Sequence, residues 1–301
     1  MLNFRALRLH LPLTVLAICI GCESPKNNST GGHFGDILVS TSQAYPIQIT
    51  DYENKTHEFL ESPNRIISLV PSATATLLAM DAGNSLIAQT DFDDAREIIG
   101  LPSVGTGLNP DLEILLSLRP DLVIGFAGNS DPSIKRHLEN AGVTGFMIRP
   151  DKLEDAIEII KKLSMITDRV PLGDSIILSI NTSLETVKLK VANKAKPRVA
   201  YILGGEPPWV SGPDTYIHQL IVAGGGHNIF EDLEHQYVPV SLEEFYIRPL
   251  DLILSTENTL LPDNLQNIEA AALSPSIEIP GPNLGQAVFE IAKILHPEVF
   301  R

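Results

Sequence analysis

Residues 173 to 194, GDSIILSINTSLETVKLKVANK, carry apolar side chains at helical spacing, with no proline and no glycine after Gly173. The pattern predicts one unusually long, uninterrupted helix between about 170 and 194. On either side of it, short apolar strands alternate with helical patterns. Ahead of it, RIISLV (65–70) is a continuous β-branched run suited to a strand buried on both faces, and Pro71-Ser72 is a helix start before ATATLLAM (73–80). SLIAQT (85–90), DLVIGF (121–126) and TGFMI (144–148) read as further strands, separated by helices at PDLEILLSL, DPSIKRHLENAG and DKLEDAIEIIKKLSMI.

After the long helix the alternation restarts. PRVAYILGG is a strand, TYIHQLIVAGGG a helix ended by glycines, SLEEFYI a helix, PLDLILS and SIEIP strands, and NLGQAVFEIAKIL a closing helix. Strand, helix, strand in repetition predicts parallel or mostly parallel sheets covered by helices. The expected class is therefore α/β, with two units flanking one helix. RPDLVIGF (119–126) and RPLDLILS (248–255) rhyme across those units, each placing a proline before a strand led by Asp-Leu.

The chain of 301 residues is 44% hydrophobic and 20% charged, ordinary for a globular protein with room for two cores. Its start, MLNFRALRLHLPLTVLAICIGC, sets Arg5 and Arg8 ahead of an apolar run that ends at Gly21 and Cys22. That layout is a secretory leader, too short for a span of roughly 20 apolar residues. Ile20-Gly21-Cys22 resembles a lipobox, with Cys19 where leucine is commoner, so Cys22 is the expected lipidated residue. Polar ESPKNNSTGGHFG then reads as a tether. The expected organisation is leader 1–22, tether 23–44, first lobe 45–167, joining helix 168–195 and second lobe 196–301.

Both cysteines, Cys19 and Cys22, fall in or beside the leader, which excludes a disulfide framework or cysteine metal site in the folded part. Without the leader's two arginines, 20 Lys+Arg face 37 Asp+Glu, a formal charge of −17 that repels nucleic acid and anionic lipid. No nucleophile elbow, phosphate-binding loop or zinc-protease signature occurs, so an enzyme is not expected.

RIISLVPSATATLLAMDAG, GLNPDLEILLSLRPDLVI, and VSGPDTYIHQLIVAGGGHNIFED with YVPVSLEEF resemble, in order and spacing, the periplasmic binding proteins of ABC importers for corrinoids, haem and iron-siderophores. The corrinoid carriers are nearest in pattern. The resemblance covers roughly residues 45 to 300. It implies two Rossmann-like α/β lobes joined by one rigid helix, with the ligand in the cleft between them. It further implies a monomer held to a membrane outside the cytoplasm by its N-terminal lipid, serving importer permease subunits. A corrinoid such as cobalamin is the implied ligand, with haem or a ferric siderophore as alternatives in the class. A cell-surface α/β enzyme or adhesion module is the alternative outside it. Two departures stand out: Ala75 where the family usually has glutamate, and PGPNLGQ in place of aromatic and acidic residues near the C-terminal end.

By the resemblance, Phe92, Phe126, Leu203, Trp209 and Tyr237 fall on ligand-facing loops. A corrinoid with wide apolar faces and amide edges wants such aromatic walls. Trp209, in GGEPPWVSG, is the only tryptophan. Core packing is the alternative for each, Phe126 above all. Arg96, Arg149 and Arg248 do not read as clustered in those loops, against an anionic siderophore. His227, His235 and Tyr237 leave an axial iron ligand open. His227, Asp232, Glu234 and His235 match no metal spacing and read as solvated loop. Glu113 and Glu243 match the glutamates by which the family docks on permease arginines; exposed helix glutamates are the plain alternative.

Overall fold

A computed structural model describes residues 44–128 and 132–300. The leader, the tether up to residue 43 and Cys22 lie outside the described residues. An antiparallel hairpin, β1 (Ile47–Thr50) and β2 (Thr56–Phe59), opens the fold. Its turn is held by Asp51, whose carboxylate accepts the Glu53 and Lys55 N–H groups at 2.9 and 3.0 Å. The first lobe is built on three parallel strands, β3 (Ile66–Ser68), β4 (Leu122–Phe126) and β5 (Thr144–Ile148), in the order β3-β4-β5. Helices α1 (Pro71–Ala79), α2 (Leu112–Ser117), α3 (Pro132–Asn140) and α4 (Leu153–Ile166) connect and cover them.

The long helix, α5, runs Val170–Val191. Beyond it come β6 (Arg198–Gly204), β7 (Trp209–Ser211), α6 (Tyr216–Ala223), β8 (His227–Asn228), β9 (Tyr237–Pro239), α7 (Glu244–Ile247), β10 (Leu252–Thr256), β11 (Ala270–Leu273) and α8 (Leu284–Leu295). The second sheet runs β11-β10-β6-β7-β9, with β8 also on β6. Its β11, β10, β6 and β8 are parallel, while β7 and β9 are antiparallel additions.

Two expected strands are not strands. SLIAQT has only bridging pairs, because Ile87 N–H bonds back to Ile66 O and Gln89 N–H turns instead to Pro102 O. SIEIP is a 3₁₀ turn, Pro275–Glu278. There Ser274 Oγ accepts from Ser276 N–H, and Pro275 and Pro280 have no N–H to give a ladder. The strand that pairs with the outer side of β10 is instead Ala270–Leu273.

The rhyme between the lobes has a physical basis. Asp121, just before β4, accepts from Arg65 N–H at 3.1 Å and donates its own N–H to Arg65 O at 3.0 Å. Asp251, just before β10, does the same to Arg198, at 2.8 and 2.9 Å. In each lobe an aspartate at the head of the second parallel strand thus pins the start of the first.

Helix α5 is buried along a narrow seam. Gly173, Ile180 and Val187 recur every seven residues, while Leu178 and Leu189 face solvent. The seam reaches one helix of each lobe. A Cβ on Gly173 would lie 2.4 Å from Ser164 Cβ on α4, and one on Gly285 of α8 would lie 2.9 Å from Ser183 Oγ on α5.

Gly173→Ala should therefore destabilise the protein. The alanine gains about 1 kcal/mol of helix propensity, but overpacking against Ser164 costs about 1–3 kcal/mol. We expect calorimetry to show a lower Tm; a raised Tm would mean that α4 and α5 separate at little cost.

Candidate functional site

The carboxyl ends of the parallel strands in both sheets open onto one cavity of about 750 Å³, the place where open α/β sheets present ligand-binding loops. From the first lobe come the start of α1 at Val70, Pro71 and Ser72, then Phe92, Phe126 at the end of β4, and Arg149 to Asp151 after β5. The second lobe contributes Leu203, Tyr216, Gln236, Tyr237, Asn258 and the turn from Glu278 to Pro280. A smaller apolar recess of about 220 Å³ adjoins it, sharing Pro71, Phe92 and Phe126 and closed by Leu69, Gly107 and Leu108.

Of the residues expected on the ligand loops, Phe92, Phe126, Leu203 and Tyr237 are brought together here. Trp209 is not among the lining residues. It opens β7 opposite Pro239 and is 45% exposed. Strand alternation explains this: Val210 turns into the core, so Trp209 faces outward, over Gly205. Arg149 corrects a second expectation, since it does line the cavity. The strand-end rule applied to TGFMI would have found Arg149-Pro150-Asp151. Arg248 bonds Asp232 and Glu244, and Arg96 is exposed.

The charged groups of the cavity lining, Arg149, Asp151 and Glu278, have partners at hand. Arg149 Nε donates to Asp151 Oδ2 at 2.6 Å, and among the described residues Arg149 is the only cation in the lining. Tyr201 Oη donates to Glu278 Oε1 at 3.1 Å. Burial pushes the Glu278 carboxyl above its ordinary range, against the hydrogen bonds from Tyr201 and Thr256. The Tyr237 hydroxyl is also pushed up, first by burial and then by the charges of Asp151 and Glu278. Tyr216 rises by burial first, then through Tyr237 and Glu278. A new negative charge is thus disfavoured at every phenol of the site.

The segment after Arg149 joins the lobes. Tyr216 N–H donates to Asp151 O at 2.6 Å, and Lys152 Nζ meets Asp214 Oδ1 at 2.9 Å. Gln219 accepts Leu153 N–H at 2.7 Å and donates to Glu154 at 2.9 Å.

Glu113 and Glu243 are both exposed and lie eight residues ahead of Asp121 and Asp251, the paired strand-head aspartates. Glu113 is in the first turn of α2, where Asp111 caps its N–H at 3.0 Å. Glu243 immediately precedes α7, and a hydrogen bond from Ser241 keeps its carboxyl below the ordinary value. His227 and His235 are exposed, His227 beside Glu231, and neither lines the cavity.

Comparison with known proteins supplies the context. The family described as periplasmic binding protein matches residues 66–277. The vitamin B12-binding protein of Vibrio cholerae is 25% identical over 211 residues, covering 70% of this chain and 76% of its own. An uncharacterized ABC transporter substrate-binding lipoprotein of Bacillus subtilis is 23% identical and covers 96% of both chains. A solved periplasmic heme binding protein from Pseudomonas aeruginosa superposes with a TM-score of 0.70 at 21% identity, over 78% of this chain and 93% of that one.

Replacing Tyr201 by Phe removes a donor that favours ionised Glu278, so the Glu278 pKa should rise further in a carboxyl-carbon NMR titration. A raised folded-state pKa means that the folded protein holds more protons than the unfolded chain between the two values, so stability falls there as pH rises. Tyr201→Phe should widen that window; an unchanged Glu278 pKa would remove the phenol from this account.

Proposed function

The chain belongs to the periplasmic binding protein family, and from that premise we propose that its cleft captures a corrinoid such as cobalamin and delivers it to the permease of an ABC importer. Relatives in this family are substrate-binding proteins rather than enzymes, and they work outside the cytoplasm. The finer reading is carried by one observation: the cavity joins Phe92, Phe126 and apolar walls to an arginine already neutralised by Asp151. A large neutral ligand with flat faces and amide edges suits such a lining. An anionic ferric siderophore, or the carboxylates of haem, would meet no free cation among the described lining residues.

We assign permease docking to Glu113 and Glu243. Their common station in the two lobes supports this, since two anionic points on a stiff frame register best on a partner with matched basic points. A lipid on Cys22 would hold the protein at the membrane, in keeping with the lipoprotein among its relatives.

Titration of the purified protein with cyanocobalamin, haemin and a ferric siderophore, followed by visible absorbance and calorimetry, tests the ligand. Saturable cyanocobalamin binding with a Kd of about 1 μM or tighter, on the order of −8 kcal/mol, is expected. Tight haemin binding without corrinoid binding would overturn the assignment. Replacing Glu113 and Glu243 together by alanine should leave the Kd unchanged and reduce ligand uptake by cells; a weakened Kd would refute a docking role.

A further inference from the structure

Helix α1 begins at the cavity wall without a side-chain cap: its N-cap is Val70, and Pro71 has no N–H. Most hydroxyls around this turn find backbone acceptors. Ser68 Oγ donates to Val70 O at 3.0 Å, Thr74 Oγ1 to the same oxygen at 3.5 Å, and Thr76 Oγ1 to Ser72 O at 2.7 Å. Ser72 does not. Its residue is only 3% exposed, and among the described residues Ser72 Oγ is the one buried side-chain polar atom without a hydrogen-bond partner. The position explains the failure, because a hydroxyl in the first helical turn has no helical carbonyl one turn back to bond.

Ser72 also lines the large cavity, as do Ile279 and Pro280 of the second lobe. Gly281 comes so near that a Cβ there would lie 3.4 Å from Ser72 O. An orphaned hydroxyl costs stability in the free protein, and that cost is recovered when an acceptor arrives. Among the described residues no protein group supplies that acceptor, and a ligand oxygen seated against this turn can.

We propose that Ser72 is a ligand-recognition residue, its Oγ–H donating to an acceptor oxygen of the cargo, a side-chain amide carbonyl at the edge of the macrocycle. The proposal rests on the corrinoid reading of the cleft, and it makes stability and affinity move in opposite directions at one position. Ser72→Ala removes an unsatisfied polar group, so the ligand-free variant should keep or raise its Tm. The same variant should bind cyanocobalamin about three- to tenfold more weakly, the share of one neutral hydrogen bond.

Wild type and Ser72→Ala are titrated in parallel with cyanocobalamin and haemin, and both ligand-free proteins are melted. An unchanged Kd, or a lower Tm in the ligand-free variant, overturns the role of Ser72. If the wild type takes haemin and not cyanocobalamin, the corrinoid reading falls by itself. Ser72 is then judged by haemin, whose carboxylate oxygen should show the same loss; an equal haemin Kd in the two proteins overturns it. A wild type that binds neither probe overturns both.

Discussion

The closeness of α5 to α4 on one side and α8 on the other governs the rest of the molecule. It exists because Gly173 and Gly285 put no side chain where Ser164 and Ser183 already stand. A continuous helix packed on both lobes through a seven-residue seam resists sharp bending, since a kink would break its own hydrogen bonds. The strand ends that face each other across the cavity are therefore carried on one packed frame. The polar clasp between residues 151–154 and 214–219 adds a second attachment beginning at the cavity wall. Ordering is completed during folding and need not be met again when ligand binds.

That frame shapes the electrostatics as well. A chain with formal charge −15 would be expected to carry a negative field into any cleft. Inside this one, Arg149 and Asp151 compensate each other, and burial keeps the phenols protonated while raising the Glu278 carboxyl. Asp151 has two tasks: its carboxylate holds Arg149, and its carbonyl receives Tyr216 N–H from the other lobe. The group that neutralises the lining cation is thus built into the junction between the lobes.

Much of this was legible in the sequence because the signals were periodic. The unbroken 173–194 run, the β-branched run at 65–70 and TGFMI each commit the backbone locally. The Asp-Leu rhyme was visible as text, but its reason, an aspartate pinning a neighbouring strand, is a contact across more than 50 residues. SLIAQT and SIEIP failed because tertiary partners decide strands: the first changes neighbour midway, and the second is diverted by Ser274 and two prolines. Trp209 misled by its chemistry. A tryptophan after two prolines invites a binding role, yet its β7 neighbours send Val210 inward and leave it outside. Ser72, Asp151 and Glu278 are ordinary residue types whose meaning appears only when two strand-end surfaces meet.

The docking role proposed for Glu113 and Glu243 draws on the same geometry by a separate route. Glu113 and Glu243 each stand eight residues before an aspartate that fixes its lobe's first two parallel strands to each other. Their backbone positions are thereby referred to the sheets, and the sheets to α5. An exposed carboxylate contributes little to affinity by itself, because water screens it and its side chain must be ordered. Two of them at a separation set by packed cores contribute more, since one encounter aligns both and the frame does not have to adjust. On the proposed reading, the frame that shapes the cleft for a flat ligand is also what would give a pair of weak surface charges their selectivity for one partner.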